Sequence, residues 1–219
     1  SSTLYRLNQA TNMLALTGSY LPEGSIGLFG SINAEGDIYE PDIFNSVTFV
    51  SEYGDLITSY NKHHLVPFGE YMPFRNIINI TPFANALALI GDFTKGDGVK
   101  TIHLNDNLPS PSPLICYEVI FPNKVADRKN RPDWLVNVTN DAWYGNSAGP
   151  YQHFEISRVR AIEEGLSLVR SANTGISAIV NPLGIAEQRI SLGTQGKIDT
   201  LLTKPITKTL FSKLGNLPF

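Results

Sequence analysis

Short apolar runs, separated by glycine, proline and polar turns, dominate the hydrophobic pattern of this chain. In the first half they predict strands at residues 26–32, 46–51 and 56–60, with a turn at 33–37 and a hairpin turn at 52–55. Each run is short and bounded by turn residues, which is typical of strands that cross a layered domain.

The second half of the chain repeats this pattern. Its predicted strands are residues 100–104, 114–117, 134–139, 166–171, 176–181 and 185–190. Residues 72–98 have no clear period, and we expect them to be mostly loop with one short helical piece.

Two segments have a helical period. The first is residues 2–16, with Ser2 or Thr3 as N-cap and Gly18 at its end. The second is residues 151–164, where Phe154, Ala161 and Ile162 share a face and Arg158, Arg160, Glu163 and Glu164 lie largely outside it. Strands interspersed with helices, without a repeat or a linker, predict one α+β or α/β layered domain over residues 1–219.

Composition narrows the classes of function. The chain has 219 residues, 42% of them hydrophobic, and 17 Lys+Arg against 20 Asp+Glu, so no basic excess points to nucleic acid as a partner. Its single cysteine cannot form an internal disulfide. No apolar stretch approaches the roughly 20 residues that cross a bilayer, and the start does not resemble a signal peptide. We therefore expect a soluble globular piece.

The candidate chemistry centres on Cys116, which ends an apolar run, and on Lys62 and Glu70 upstream. A thiol becomes a useful nucleophile when nearby groups stabilise its thiolate and another group takes its proton. The alternatives are a cysteine that is only a small buried hydrophobe and a lysine that is only a solvated surface residue. His63 and His64 are adjacent and lack clustered partners, so we predict no metal. We expect no cofactor either.

Three motifs give these residues a context. They are residues 60–70 (YNKHHLVPFGE), 115–118 (ICYE) and 140–145 (NDAWYG). Together, in this order and at domain-wide spacing, they resemble the carbon–nitrogen hydrolase (nitrilase) superfamily, whose members use a Glu-Lys-Cys triad. Residues 149–153 and 170–177 narrow the resemblance.

With residues 158–163, these last two segments resemble the apolipoprotein N-acyltransferase family within that superfamily. The resemblance extends from about residue 26 to about residue 190. It implies a nitrilase-like fold, an α+β four-layer α-β-β-α sandwich.

The resemblance also assigns roles residue by residue. It makes Cys116 the nucleophile, Lys62 the catalytic lysine, Glu70 the second glutamate held near that lysine, and Glu118 a further catalytic residue. It places Tyr117 and Trp143 in the substrate pocket. If the strand continued through Cys116, alternation would return Glu118 to the side of the thiol. The alternatives are a helix-terminal role for Glu70 and plain packing for Trp143.

The implied activity is acyl transfer in two steps. Cys116 takes an acyl chain from a phospholipid as a thioester and passes it to the α-amine of a diacylglyceryl-cysteine on an apolipoprotein. The family works in the bacterial inner membrane with this domain facing the periplasm. Two alternatives remain: a soluble amidase of the same superfamily, which transfers the acyl group to water, and a binding domain that has lost the chemistry.

The sequence departs from the family at the third member of the triad. The family's catalytic glutamate follows an apolar strand ending in Pro-Glu, whereas Pro22 and Glu23 follow the first helix and lie in a predicted turn, so Glu23 is rejected. We therefore expect the chain to be an internal piece of a larger protein, lacking the first strand of the domain and the flanking transmembrane segments. On this expectation the isolated piece is inactive.

Overall fold

The structure is a computed structural model that describes residues 11–37, 39–73, 92–105 and 107–217. Its strands form two separate sheets. The first consists of β1 (Ile26–Gly36), β2 (Pro41–Ser51) and β3 (Leu56–Asn61). The second consists of β4 (Pro111–Ile115), β5 (Trp134–Asn140), β6 (Ser167–Asn173), β7 (Ser177–Val180) and β8 (Ala186–Ile190).

The two sheets differ in strand direction. The first is an antiparallel meander in the order β1-β2-β3. In the second, β4, β5 and β6 are parallel, and β7 and β8 continue the sheet antiparallel. The carboxyl ends of β4 and β5 therefore lie at the same edge, which is where open sheets of parallel strands bind their ligands.

Helices cover the outer face of each sheet. They are α1 (Thr11–Gly18), α2 (Gly149–Glu164) and the short α3 (Leu210–Leu214), and 3-10 helices span Cys116–Ile120 and Asp141–Tyr144. Leu14 of α1 packs on Val50 of the first sheet. Phe154 and Ala161 of α2 pack on the second sheet, in a core that includes Leu135.

A third cluster lies between the sheets. Val47, Phe49 and Tyr60 of the first sheet pack against Ile115 of the second, with Ile102 completing the cluster. Each sheet therefore buries both faces, one against a helix and one against the other sheet. The order of layers is α-β-β-α, which confirms the predicted fold class.

Several predicted elements need correction. The predicted turn at 33–37 is wrong, because β1 continues to Gly36 and pairs residue for residue with β2. The strand predicted at 100–104 does not form; within it, the Ile102 N–H donates a single backbone hydrogen bond, to the Pro111 carbonyl. The strand predicted at 114–117 ends at Ile115 and gives way to a 3-10 helix. Residues 2–10 of the first predicted helix, and 74–91 of the predicted loop, lie outside the described residues.

The face of α2 was also predicted incorrectly in part. Phe154 and Ala161 are buried as expected, but Ile162 is half-exposed and the charged Arg160 and Glu164 are buried. Opposite charges lie near both: Arg160 pairs with Glu163 at 3.1 Å, and the charges of Arg128 and Arg131 oppose the rise in the pKa of Glu164 that burial causes. A charged residue on a helix is thus an unreliable marker of the exposed face here.

None of the described helices is long and apolar enough to cross a membrane.

The contact between α1 and the hairpin turn after β2 gives a test of the first helical layer. Gly54 has φ +83°, and a Cβ at this position would lie 2.6 Å from the Cα of Ala15. We expect Gly54→Ala to lower the free energy of unfolding by about 2–4 kcal/mol, since left-handed strain and overpacking add. Urea denaturation measures this loss.

The matched control is Gly24→Ala. Gly24 also has a left-handed φ, +73°, but a Cβ there would meet nothing within 4 Å. This variant should lower the free energy of unfolding by about 1–2 kcal/mol, because only backbone strain is added. Equal losses for the two variants would mean that α1 does not pack against the hairpin in solution.

Candidate active site

Three strands end close together at one edge of the sandwich. Lys62 directly follows β3, Cys116 directly follows β4, and the 3-10 helix that carries Trp143 directly follows β5. Lys62 comes from the first sheet and the other two from the second. The strand ends, rather than any loop insertion, bring the predicted residues to one place.

A cavity of about 470 Å³ occupies this edge between the sheets. Lys62, Glu70, Cys116, Tyr117 and Trp143 all line it. Most of its surface is apolar, and the apolar walls include Ile32, Val47, Val66, Phe93, Ile115 and Val138. The arrangement places a thiol and an ammonium on the wall of a space that suits an aliphatic group.

Lys62 is buried and forms an ion pair with Glu70. Its Nζ lies 2.7 Å from Oε2 and 2.9 Å from Oε1 of that carboxylate, and Lys62 is only 1% exposed. A lysine held this way is pre-oriented, because little side-chain freedom remains to be lost. The alternative of a solvated surface lysine does not fit this position.

Glu70 is held in turn by two further donors. The Asn45 side-chain amide donates to Oε1 at 2.7 Å, and the Val66 backbone N–H donates to Oε2 at 2.8 Å. Both oxygens therefore accept two hydrogen bonds each. Among the described residues, Glu70 is the only carboxylate on the cavity, and its geometry suits it to fixing Lys62 rather than to receiving a proton.

Cys116 occupies the first position of its 3-10 helix with φ +50°, a left-handed conformation that is uncommon for residues other than glycine. The residue is half-buried and its side chain lines the cavity. Its carbonyl accepts a hydrogen bond from the Asn137 side chain at 3.4 Å. Sharp backbone turns of this kind concentrate at functional sites, where surrounding contacts hold them.

Glu118 does not line the cavity. Because the strand ends at Ile115, the alternation that was expected to return Glu118 to the side of the thiol does not apply. The carboxylate is fully buried and accepts hydrogen bonds from the backbone N–H groups of Ile115, His63 and His64 at 2.8, 2.9 and 3.2 Å. The Tyr60 hydroxyl donates to it at 2.9 Å.

These donors keep Glu118 ionised. Burial alone would raise the pKa of Glu118, but the hydrogen bonds from the His63 side chain and from the three backbone N–H groups hold this pKa below its usual range. The pKa of Tyr60 is raised, first by burial and then by the charge of Glu118 and the hydrogen bond to it, so the phenol stays protonated. The Glu118 carboxylate thus connects the loop after β3 with the end of β4.

Tyr117 and Trp143, the two residues predicted to contact substrate, both lie on the cavity wall. The Tyr117 ring packs edge-on against Phe121, with centroids 4.9 Å apart. Trp143 is 82% exposed, so the alternative of a partly buried packing tryptophan does not fit. An indole this exposed lies where the cavity meets solvent.

The premise for predicting no metal was wrong, although the prediction itself stays open. His63 and His64 do have a clustered partner, because ligand-type atoms of these residues and Glu118 lie within 4.8 Å of one another. However, the Glu118 carboxylate already accepts the four hydrogen bonds described above, and His63 Nδ1 lies 2.8 Å from it. A cation would have to displace these donors.

Two supporting residues, Asn45 and Asn137, were not predicted from the sequence. His153, in the segment 149–153 that carries the resemblance, is buried at 3% exposure against Asp141, with Nδ1 3.0 Å from Oδ1. An asparagine in the middle of an apolar strand, as in residues 134–139, was the available signal, because a buried amide needs partners. Glu23 lies in a turn, as predicted; it is exposed and does not line the cavity.

The sequence as a whole matches the carbon–nitrogen hydrolase family model over residues 4–204. The chain belongs to this family. Among solved structures, it resembles an amidase of the nitrilase superfamily from Nesterenkonia AN1, with a TM-score of 0.58 at 17% identity, covering 86% of this chain and 66% of the amidase. At this identity the likeness supports the fold alone.

Curated relatives add a narrower similarity. The chain is 38% identical over 221 residues to an apolipoprotein N-acyltransferase from Rhodopseudomonas palustris, covering 97% of this chain and 40% of the relative. It is 42% identical over 210 residues to one from Rickettsia prowazekii, covering 94% of this chain and 40% of the relative. The chain thus spans about two fifths of the length of these relatives.

The buried Glu118 carboxylate generates a pH-dependent prediction. Its pKa is depressed in the folded state, so its contribution to stability is present above the unfolded value of about 4.5 and is lost as the pH falls through the folded pKa. Glu118→Gln should lower the free energy of unfolding by about 3 kcal/mol near neutral pH, because the amide places its N–H groups against backbone N–H donors.

Urea denaturation at a series of pH values tests this expectation. The stability difference between wild type and Glu118→Gln should be constant above about pH 5.5 and should narrow as the pH falls below about 4.5. Exposed Glu23→Gln is the matched control and should follow the wild-type curve. A difference that stays constant below about pH 4.5 as well would show that Glu118 is not an ionised group in the fold.

Proposed function

We propose that this chain is the nitrilase-like part of an apolipoprotein N-acyltransferase, a longer protein of the bacterial inner membrane whose catalytic domain faces the periplasm. Its substrates would be a phospholipid and the N-terminal diacylglyceryl-cysteine of an apolipoprotein. The observation that carries the proposal is Cys116, in a left-handed turn, sharing a largely apolar cavity with the buried Lys62–Glu70 pair. The similarity to relatives of that name supports it.

In the first step, the Cys116 thiolate attacks the ester carbonyl carbon of a phospholipid. The C–S bond forms, the C–O bond to glycerol breaks, and the lysophospholipid leaves with a proton on its released oxygen. The acyl chain remains on Cys116 as a thioester. The apolar walls of the cavity favour an aliphatic chain in this position.

In the second step, the free α-amine of the diacylglyceryl-cysteine attacks the thioester carbonyl. The C–N bond forms, the C–S bond breaks, and the amine gives up a proton as the amide forms. A covalent intermediate suits this reaction, because the lysophospholipid can leave before the second lipid substrate arrives.

Lys62 would stabilise the negative charge that develops on the carbonyl oxygen in both steps. An ammonium has three N–H donors, and two of them are directed at the Glu70 oxygens. The third is left for a substrate oxygen, and a pre-oriented donor in a site with little water is most effective. Glu70 then acts as the residue that positions Lys62.

One catalytic role remains to be assigned, that of the base that accepts the proton of the Cys116 thiol. Both Glu70 oxygens are occupied by Lys62, Asn45 and Val66, which makes Glu70 a poor candidate. We assign this role to a glutamate of the longer protein outside this chain, as the family resemblance implies. Glu118, which does not line the cavity, is assigned a positioning role: it holds the loop after β3 against the end of β4, next to Cys116.

Tyr117 and Trp143 would contact the lipid substrates. Both line the cavity, and the exposed indole of Trp143 is the kind of amphipathic group that favours a lipid–water boundary. The runner-up function is an amidase that passes the acyl group to water; its support is that a cysteine beside a buried Lys62–Glu70 pair could form the same acyl intermediate from a small amide.

The thioester provides a direct test of the nucleophile. After incubation of the full-length protein with phospholipid, mass spectrometry should find an acyl adduct on Cys116. Cys116→Ala should remove the adduct, and Cys116→Ser should form it at least about 100-fold more slowly, because a hydroxyl is barely ionised at neutral pH. An adduct that persists in Cys116→Ala would place the nucleophile elsewhere.

The fate of the acyl group separates the two candidate functions. Supplied with phospholipid and a diacylated lipopeptide, the full-length protein should form the triacylated lipopeptide, with little free fatty acid released. A lipopeptide with an acetylated α-amine is the matched control and should accept no acyl chain. Fatty acid release at the same rate with and without the acceptor amine would support the amidase instead.

A further inference from the structure

We infer that Asn137 and Arg170 are positioning residues that hold the Cys116 turn in its reactive conformation. Neither lines the cavity, so neither touches substrate. The inference rests on the proposed function for its kinetic test, but the contacts that carry it are independent of the identity of the substrate.

Asn137 links the end of β4 to the turn that follows it. Its side-chain Nδ2 donates to the Leu114 carbonyl at 3.1 Å and to the Cys116 carbonyl at 3.4 Å. Asn137 is fully buried in β5, where it pairs with Leu114 in register. One amide group therefore bridges the last strand residues and the nucleophile.

Arg170 fixes which way this amide points. Its Nη1 donates to the Asn137 Oδ1, and the two residues pair in register across β5 and β6. Since a guanidinium only donates hydrogen bonds, the oxygen of the amide must face Arg170 and the NH₂ group must face Cys116. Without Arg170 the amide would lose this constraint.

Arg170 is itself held on its remaining sides. Its Nη2 donates to Asp141 Oδ2 at 2.7 Å and its Nε donates to the Ile176 carbonyl at 3.2 Å. Burial alone would raise the pKa of Asp141, but the hydrogen bond from His153 and the charge of Arg170 hold it below its usual range. A buried ion pair therefore backs the amide, and the Thr139 hydroxyl adds a hydrogen bond to Asp141 at 3.0 Å.

The φ of +50° at Cys116 is the strained conformation that these contacts stabilise. A left-handed conformation is unfavourable for a residue with a Cβ, and it persists only where surrounding contacts enforce it. If the turn relaxed, the sulfur would move relative to Lys62, and a misplacement of about 1 Å can cost on the order of 100-fold in rate.

Asn137→Asp tests the role with the smallest change. The carboxylate keeps the acceptor that Arg170 needs but loses the N–H donors to Leu114 and Cys116. In the full-length protein, we expect the kcat for acylation of Cys116 by phospholipid to fall about 10- to 100-fold, with KM unchanged and with cooperative thermal unfolding retained. Asn181→Asp makes the same chemical change at a turn outside the site and should leave kcat unaffected.

Arg170→Lys is the second variant. It keeps a cation beside Asp141 but lacks the fork that also reaches Asn137, so it should lower kcat in the same way with KM unchanged. Three outcomes would overturn the inference in favour of a structural role. They are a fall in activity that follows only the folded fraction, a rise in KM alone, and failure of both variants to fold.

Alkylation separates failure of this inference from failure of the proposed function. In the wild-type chain, without any lipid, iodoacetamide should alkylate Cys116. Asn137→Asp should slow this alkylation about 3- to 10-fold, because the relaxed turn no longer holds the sulfur in its place on the cavity wall. Equal alkylation rates would overturn the positioning role. Slower alkylation, in a full-length protein that forms no thioester with phospholipid, would support it while refuting the proposed function.

Discussion

The buried carboxylate of Glu118 is the constraint on which the rest of the site depends. It accepts hydrogen bonds from backbone N–H groups on both sides of the sandwich, from His63 and His64 after β3 and from Ile115 in β4. A buried anion without donors would be strongly unfavourable, so these backbone segments must meet in this arrangement. The loop that carries Lys62 and the turn that carries Cys116 are thereby joined.

Around this junction, the polar groups form two separate sets. Glu70 and Asn45 hold Lys62 on the side of the first sheet, and Arg170 and Asn137 hold the Cys116 turn on the side of the second. The two sets meet across a cavity whose walls are mainly apolar. Lys62 and Arg170 each pair with a carboxylate on their own side, Glu70 and Asp141 respectively, and this leaves the apolar space between the sets free for an uncharged chain.

The sequence predicted the elements that have strong, uninterrupted patterns. The strand at Trp134 and the helix before Gly165 agree closely with β5 and α2 because an apolar run and a helical period are local signals. The continuation of β1 through Asn33 was not predicted, because polar residues shortly before a glycine are typical of a turn even where, as here, one of them is buried in a strand. The end of β4 at Ile115 was not predicted either, because a 3-10 helix has no hydrophobic period of its own.

The candidate site, too, was predicted in part. The motifs identified Lys62, Glu70 and Cys116, and the structure brings all three to one cavity. The location of Glu118 could not be derived locally, because its partners His63 and His64 lie more than fifty residues away. Placing the lysine and the cysteine on opposite sheets also has a consequence for biosynthesis: the two side chains can share a cavity only after both sheets have formed and packed together, so a partly folded chain carries no assembled site.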